Sequence, residues 1–250
     1  MNILARVFPR LGEIGSREYC RVPGGDRQVI DYENYIKQLT KMLQESIGDR
    51  LLYVGLQGSY LRGEANENSD IDIMVVIDGL KVADMDLYKE AISRLEEVEK
   101  SCGFIAGKEE MAHWNPLEIC HLLHTTKDYY GKLEELVPAY TEQDIRNFVT
   151  MSVNNLFHEI CHRYIHRSWE RNVEALPGSY KGVFFILQNL HFLEQGDFVQ
   201  TKQELLAVLT GKNKQVLAKA LEFGKGETYD FDEAYELLFS WCQETINQCK

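Results

Sequence analysis

Apolar positions recur with two different periods along this 250-residue chain, and the change between them divides it. From Asp31, DYENYIKQLTKMLQES places Tyr35, Leu39, Met42 and Leu43 on one helical face, with Asp31 as the cap. An apolar strand from Leu51 follows and ends at a Gly58-Ser59 turn; after a polar loop, Asp70-Ile71-Asp72 opens a second strand. DMDLYKEAISRLEEVEKSCG predicts an amphipathic helix with Leu87, Ile92, Leu95 and Val98 inward and Gly103 at its end. Phe104–Ala106 is a short third strand leading into Gly107-Lys108-Glu109-Glu110. Trp114-Asn115-Pro116 marks a helix start, with Asn115 as N-cap and Pro116 in the first helical position. LEICHLLHTTKDYYG then reads as helix, although its apolar run also fits a strand.

A break runs from Gly131 to Pro138, and beyond it only the helical period remains. Thr141–Arg171 predicts one long helix with Ile145, Val149, Ser152, Leu156 and Ile160 on a common face. Gly178 interrupts, and a buried helix, VFFILQNLHFLEQG, follows, with Tyr180-Lys181 at its start. TKQELLAVLTG and DEAYELLFSWCQETIN complete a bundle. Residues 1–28 hold a Pro-Gly-Gly turn at 23–25 and predict no element. The expected class is α+β, an N-terminal α/β domain with a mixed sheet followed by a C-terminal helical bundle.

Composition narrows the function classes. The formal net charge is −12, which argues against long DNA or RNA as substrate, because their binding draws on cationic side chains. Acidity suits a small cationic acceptor. No run of about 18 apolar residues predicts a membrane span, and the first 20 residues lack the apolar core of a secretory signal. The cysteines at 20, 102, 120, 161, 242 and 249 contain no C-x-x-C pair, so free thiols in a reducing cytoplasm are expected.

The candidate chemistry concentrates in LLYVGLQGSYLRGEANENSDIDIMVVID. Strand side chains alternate faces, so Asp70 and Asp72 point the same way while Ile71, Ile73, Val75 and Ile77 take the other face. Two carboxylates that close repel, and a divalent cation is their natural partner. Gly58 and Ser59 follow a strand, where glycine lets backbone amides approach a phosphate; Arg62 adds positive charge nearby.

G-S-(x10)-D-x-D, with RGEA after the serine and SDID before an aliphatic strand, resembles the nucleotidyltransferase superfamily that includes DNA polymerase beta. Within it the chain is most similar to bacterial antibiotic adenylyltransferases that act on aminoglycosides and related drugs. The resemblance implies a catalytic domain over 1–137 and a helical substrate- and nucleotide-binding domain over 138–250, with nucleotide and acceptor held between them. It implies ATP as donor, Mg²⁺ on Asp70 and Asp72, and phosphate contacts from Gly58, Ser59 and Arg62. AMP would pass to a hydroxyl of a small molecule, with release of pyrophosphate. A helix ending in Leu-Glu-Gln-Gly and followed by Thr201-Lys202 extends the likeness, making Lys202 a phosphate contact; Gln188 stands where the family carries an arginine.

The superfamily often adds a third carboxylate from the strand after the D-x-D strand and its helix. Glu110 is taken ahead of Glu109; Glu118 inherits the role if LEICHLLH is a strand, and Glu159 would act from the helical domain. Other signals compete. His158-Glu159-Ile160-Cys161-His162 fits the zinc-peptidase H-E-x-x-H pattern, continued by His166. Lys181 is a further phosphate candidate, while Arg163–Arg171 reads as a solvated basic face. A non-catalytic, antitoxin-like nucleotide-binding module is the remaining alternative. Acceptor, base preference and oligomeric state have no code in the sequence.

Overall fold

The structure, a computed structural model, describes residues 30–225 and 228–248, so the Pro-Gly-Gly turn, Cys20 and Cys249 lie outside the described residues. Its contacts fall into two units: residues 30–115 with His121–Ala139, and Pro116–Cys120 with the chain from Tyr140.

The first unit is built on a four-stranded sheet, order β3-β2-β1-β4. Helix α1 (Tyr32–Ile47) precedes it, and the Asp31 carboxylate accepts a bond from the Asn34 amide, 3.0 Å. Strand β1 (Leu51–Gln57) leads through a single helical turn, α2 (Gly58–Leu61), to β2 (Ile71–Ile77). The two strands pair antiparallel, with Leu51 opposite Ile77 and Gln57 opposite Asp72. Helix α3 (Val82–Ser93) crosses back, and β3 (Ser101–Gly107) lies parallel to β2, Ile71 opposite Ser101 and Ile77 opposite Gly107. One face of the sheet, with Val54, Leu56, Ile71, Ile73, Val75 and Ile77, packs with Tyr35, Ile36, Leu39, Leu43 and Ile47 of α1. On the other, Tyr53, Met74 and Val76 are also fully buried. Buried on both faces, β2 is an inner strand of the sheet, and its polar start stands out.

Several expected boundaries move. Helix α3 stops at Ser93, so Val98 is 41% exposed, and Gly103 lies inside β3 at φ +141°. Lys108–Ala112 forms a short helix, α4, and Pro116–His124 is helix α5, which excludes the strand reading of LEICHLLH. That helix ends six residues before Tyr130, and Lys127–Tyr130 is strand β4, antiparallel to β1 at the sheet edge.

The second unit is helical. In α6 (Glu142–His166), Ile145, Val149, Ser152, Leu156 and Ile160 are all buried, as their spacing predicts. Its helix ends at His166 rather than Arg171: Arg167 is extended and α7 (Trp169–Tyr180) starts anew. Gly178 lies within α7, and the interruption falls at Lys181 and Gly182, ahead of α8 (Val183–Gln195). Gly196 closes α8 at φ +74°, a left-handed cap that favours glycine. Helices α9 (Lys202–Val208), α10 (Gly211–Gly224) and α11 (Phe231–Gln248) follow. Helix α6 packs against α8 and α11. Tyr180 Oη donates to the Ala234 carbonyl (2.6 Å) and Trp241 Nε1 to Asn213 Oδ1 (2.7 Å), fixing aromatic groups that would otherwise bury a polar atom unpaired.

Candidate active site

The polar start of β2 gathers residues from three directions in the first unit. Gln57, the last residue of β1, lies opposite Asp72. The next residue, Gly58, takes φ +77°, and a Cβ there would overlap Asp72 Oδ2. The missing side chain therefore makes the seat of the Asp72 carboxylate, which rests against the turn carrying Ser59. Asp70 is exposed one residue before the strand. The loop before it is pinned by Asn66, whose amide donates to Ser69 Oγ (2.9 Å) and whose Oδ1 accepts from the Asn68 amide (2.9 Å). Arg62 donates through Nε to Glu64 Oε2, 3.0 Å, with both side chains largely covered. Asp70, Asp72, Gly58, Ser59 and Arg62 thus share one end of the sheet. Two carboxylates with hard oxygen donors suit Mg²⁺, which takes its remaining ligands from water and substrate phosphates.

Glu109 and Glu110 are not at this end. Glu110 folds back over Gly107, where a Cβ would overlap its Oε2, and Gly107 lies opposite Ile77. Ile77 is five residues beyond Asp72, about 17 Å along a strand. The physical reason is strand direction: because β3 runs parallel to β2, it starts beside the aspartates and carries its C-terminal glutamates away. Cys102 is the β3 residue opposite Asp72. Glu118 is buried on α5 in the part of that helix belonging to the second unit.

Sequence reasoning missed the third direction. Thr126 Oγ1 accepts from Gln57 Nε2 (2.8 Å) and donates to the Leu122 carbonyl (2.7 Å), so the last turn of α5 lies level with Asp72. Tyr53 crosses Gly55 to donate to Asp128 Oδ1, 2.8 Å. This turn carries His121 and His124. Burial, reinforced by the Arg62 guanidinium and His124, pushes His121 down to about 4; burial also lowers His124. The pair HLLH before a polar Thr-Thr was the available signal. Because unfolded His121 takes up a proton near pH 6.5 and folded His121 only near 4, stability should fall as pH drops through that interval. The loss is about 3 kcal/mol, flat below pH 4, and urea titrations of wild type and His121→Gln should differ in slope only between those pH values.

The sequence profile of the nucleotidyltransferase domain matches residues 36–111, the span from α1 to α4. The protein adenylyltransferase MntA of Thermococcus cleftensis is 38% identical over 77 residues, 28% of this chain and 76% of that protein. The chain belongs to the nucleotidyltransferase family. The nucleotidyltransferase also shares its architecture with the spectinomycin adenyltransferase AAD(9) from Enterococcus faecialis, solved with ATP and spectinomycin. The alignment has a TM-score of 0.54 at 16% identity and covers 86% of this chain and 99% of that one.

In the helical unit of the nucleotidyltransferase, Lys202 opens α9 after a Thr201–Glu204 capping box, with its ammonium 5.7 Å above the Phe184 ring. Gln188 is buried on α8 and donates to the Val199 carbonyl, 2.8 Å, tying down the segment before α9. Lys181 lies between helices instead of opening α8. His158, His162 and His166 line an exposed face of α6, with ring centroids 5.9 and 4.7 Å apart. Glu159 turns elsewhere: its Oε1 accepts from Arg163 Nη2 (2.8 Å) and Ser179 Oγ (3.1 Å). A carboxylate so engaged is poorly placed as a peptidase base, and among the described residues no three His, Cys, Asp or Glu side chains are grouped to hold a metal. No helix among the described residues is long and apolar enough to cross a membrane.

Proposed function

We propose that this chain moves AMP from ATP to a hydroxyl of a small molecule, an aminoglycoside-like compound, with pyrophosphate leaving. The observation that carries the reading is the Asp72 carboxylate seated in the space left by Gly58, beside Asp70 and at the head of the Ser59 turn. Such transfer requires positioning and charge neutralisation more than covalent participation. When bound, Mg²⁺ supplies that neutralisation, and Asp70 and Asp72 are the carboxylates that would hold it. The turn at Gly58 and Ser59 orients the triphosphate through its backbone amides, and Arg62, steadied by Glu64, adds a fixed positive charge. Lys202 is assigned to the phosphates by the family resemblance. On this reading residues 1–137 handle the donor and 138–250 shape the acceptor, and the free thiols among the described cysteines fit a cytoplasmic setting.

A protein hydroxyl is the second acceptor class, favoured by the 38% identity to a protein adenylyltransferase. The likeness to AAD(9) extends through the helical unit and supports the small-molecule class. Pyrophosphate release with ATP and Mg²⁺, against spectinomycin, streptomycin, lincomycin and a protein acceptor panel, separates the two. Release should require the acceptor, cease with EDTA and disappear in Asp70→Asn. ATP binding without release under any of these conditions would count against transfer and favour a binding module.

A further inference from the structure

We infer that His162 and His166 form a surface site for a divalent transition-metal ion of the zinc, nickel and copper class, separate from the Mg²⁺ chemistry assigned to Asp70 and Asp72. The inference starts from the row that His158, His162 and His166 make along α6. The buried stripe of that helix runs through Leu156 and Ile160. At 3.6 residues per turn, positions two further on lie about 200° round the axis, on the opposite face. All three imidazoles are accordingly exposed, and none belongs to the core of the helical unit.

Distance selects the pair. A metal about 2.0–2.1 Å from a ligating imidazole nitrogen lies about 3.2 Å from the ring centre, so two rings sharing it at roughly 90–110° have centres about 4.5–5.2 Å apart. The centroids of His162 and His166 are 4.7 Å apart, inside that interval. Those of His158 and His162 are 5.9 Å apart, outside it. Rotation of an exposed ring about its side-chain bonds is enough to aim one nitrogen of each at the shared point.

The donor set decides the ion. Imidazole nitrogen suits zinc, nickel and copper, whereas Mg²⁺ and Ca²⁺ prefer oxygen. Glu159, the acid of the H-E-x-x-H pattern, is held by Arg163 and Ser179 and supplies no third ligand. That pairing also neutralises Arg163, the arginine within this turn. Among the described residues no group of three ligating side chains forms, so the site has two protein ligands and water completes it. A catalytic zinc takes three protein ligands. Two on an open surface make an exchangeable site, and an ion bound there clips the last turn of α6, which ends at His166.

Calorimetric titration of the untagged, reduced chain with Zn²⁺ and with Ni²⁺, in excess Mg²⁺, tests the assignment. His162→Gln and His166→Gln should each weaken one equivalent of binding at least about tenfold. His158→Gln should change it less than about threefold. On the wild type, paramagnetic Ni²⁺ should broaden the ring resonances of His162 and His166 before those of His113, His121, His124 and His191. Equal losses in all three variants overturn the choice of pair. Unchanged binding in all three overturns the site and assigns the ion to the thiols or the other histidines. Failure of the wild type to take up either ion at millimolar concentration overturns it as well. Pyrophosphate release is not the readout, so none of these results bears on the transfer reading.

Discussion

Asp72→Asn should lower acceptor-dependent pyrophosphate release by about 10³-fold while the chain remains folded. Asparagine has nearly the shape of aspartate, so it can occupy the same space beside Gly58, and the adjoining Met74 and Val76 packing is untouched. What disappears, on the proposed reading, is one negative charge that would hold the cation. Loss of a preorganised charge or donor of this kind is worth about 3–4 kcal/mol at the transition state. The measurement is single-turnover release at saturating ATP, with thermal unfolding run beside it. A variant within tenfold of wild type would remove Asp72 from the chemistry. A collapse of thermal stability would instead mean that the carboxylate is a structural group.

Gly103→Ala should be the most damaging of the glycine replacements for stability, at about 3 kcal/mol or more. The residue sits at φ +141°, a conformation that L side chains rarely adopt, and an added Cβ would overlap the carbonyl oxygen of Ile73 on β2. Neither neighbour can yield cheaply, because the obstacle is backbone in the parallel ladder rather than the end of a side chain. Gly196→Ala is the informative contrast. It also has positive φ, in the left-handed helical region, but open space surrounds it, so only the local backbone cost of about 1 kcal/mol applies. Urea unfolding of both variants measures the difference, and equal losses would show that the Ile73 contact carries no weight.

Much of this architecture is legible in the pattern of residues, and the failures have common causes. The α1 face, the D-x-D strand and the buried stripe of α6 announce themselves because burial is periodic over several turns or alternates along a strand. The misplacement of Glu110 came from strand direction. A run such as Phe104–Ala106 predicts a strand equally well whichever way it points, and only pairing decides which end meets Asp72. Strand β4 was hidden because four residues, KDYY, at a sheet edge follow a helix with only Thr125-Thr126 between them. Helix α10 went unread since its central buried residues are just Val216 and Leu217. The break at Arg167-Ser168 has neither glycine nor proline, whereas Gly178, the residue expected to interrupt, is accommodated within α7. Within the site, the motif residues were visible from their spacing, while the end of α5 arrives through a contact between Gln57 and Thr126, 69 residues apart.

That same separation has a kinetic consequence. The residues from Gly58 to Asp72 occupy one antiparallel hairpin, and hairpins pair in about 1–10 μs once their strands are free. Closing the loop to Thr126 requires the chain through α5, and loop closure of this length adds an entropic delay. On the ribosome, where residues emerge at about 5–20 per second, the hairpin is complete seconds before His121 and His124 are available to it. The aspartate side of this sheet end therefore forms as a local product of its own short sequence, and the end of α5 joins it as a late, long-range event.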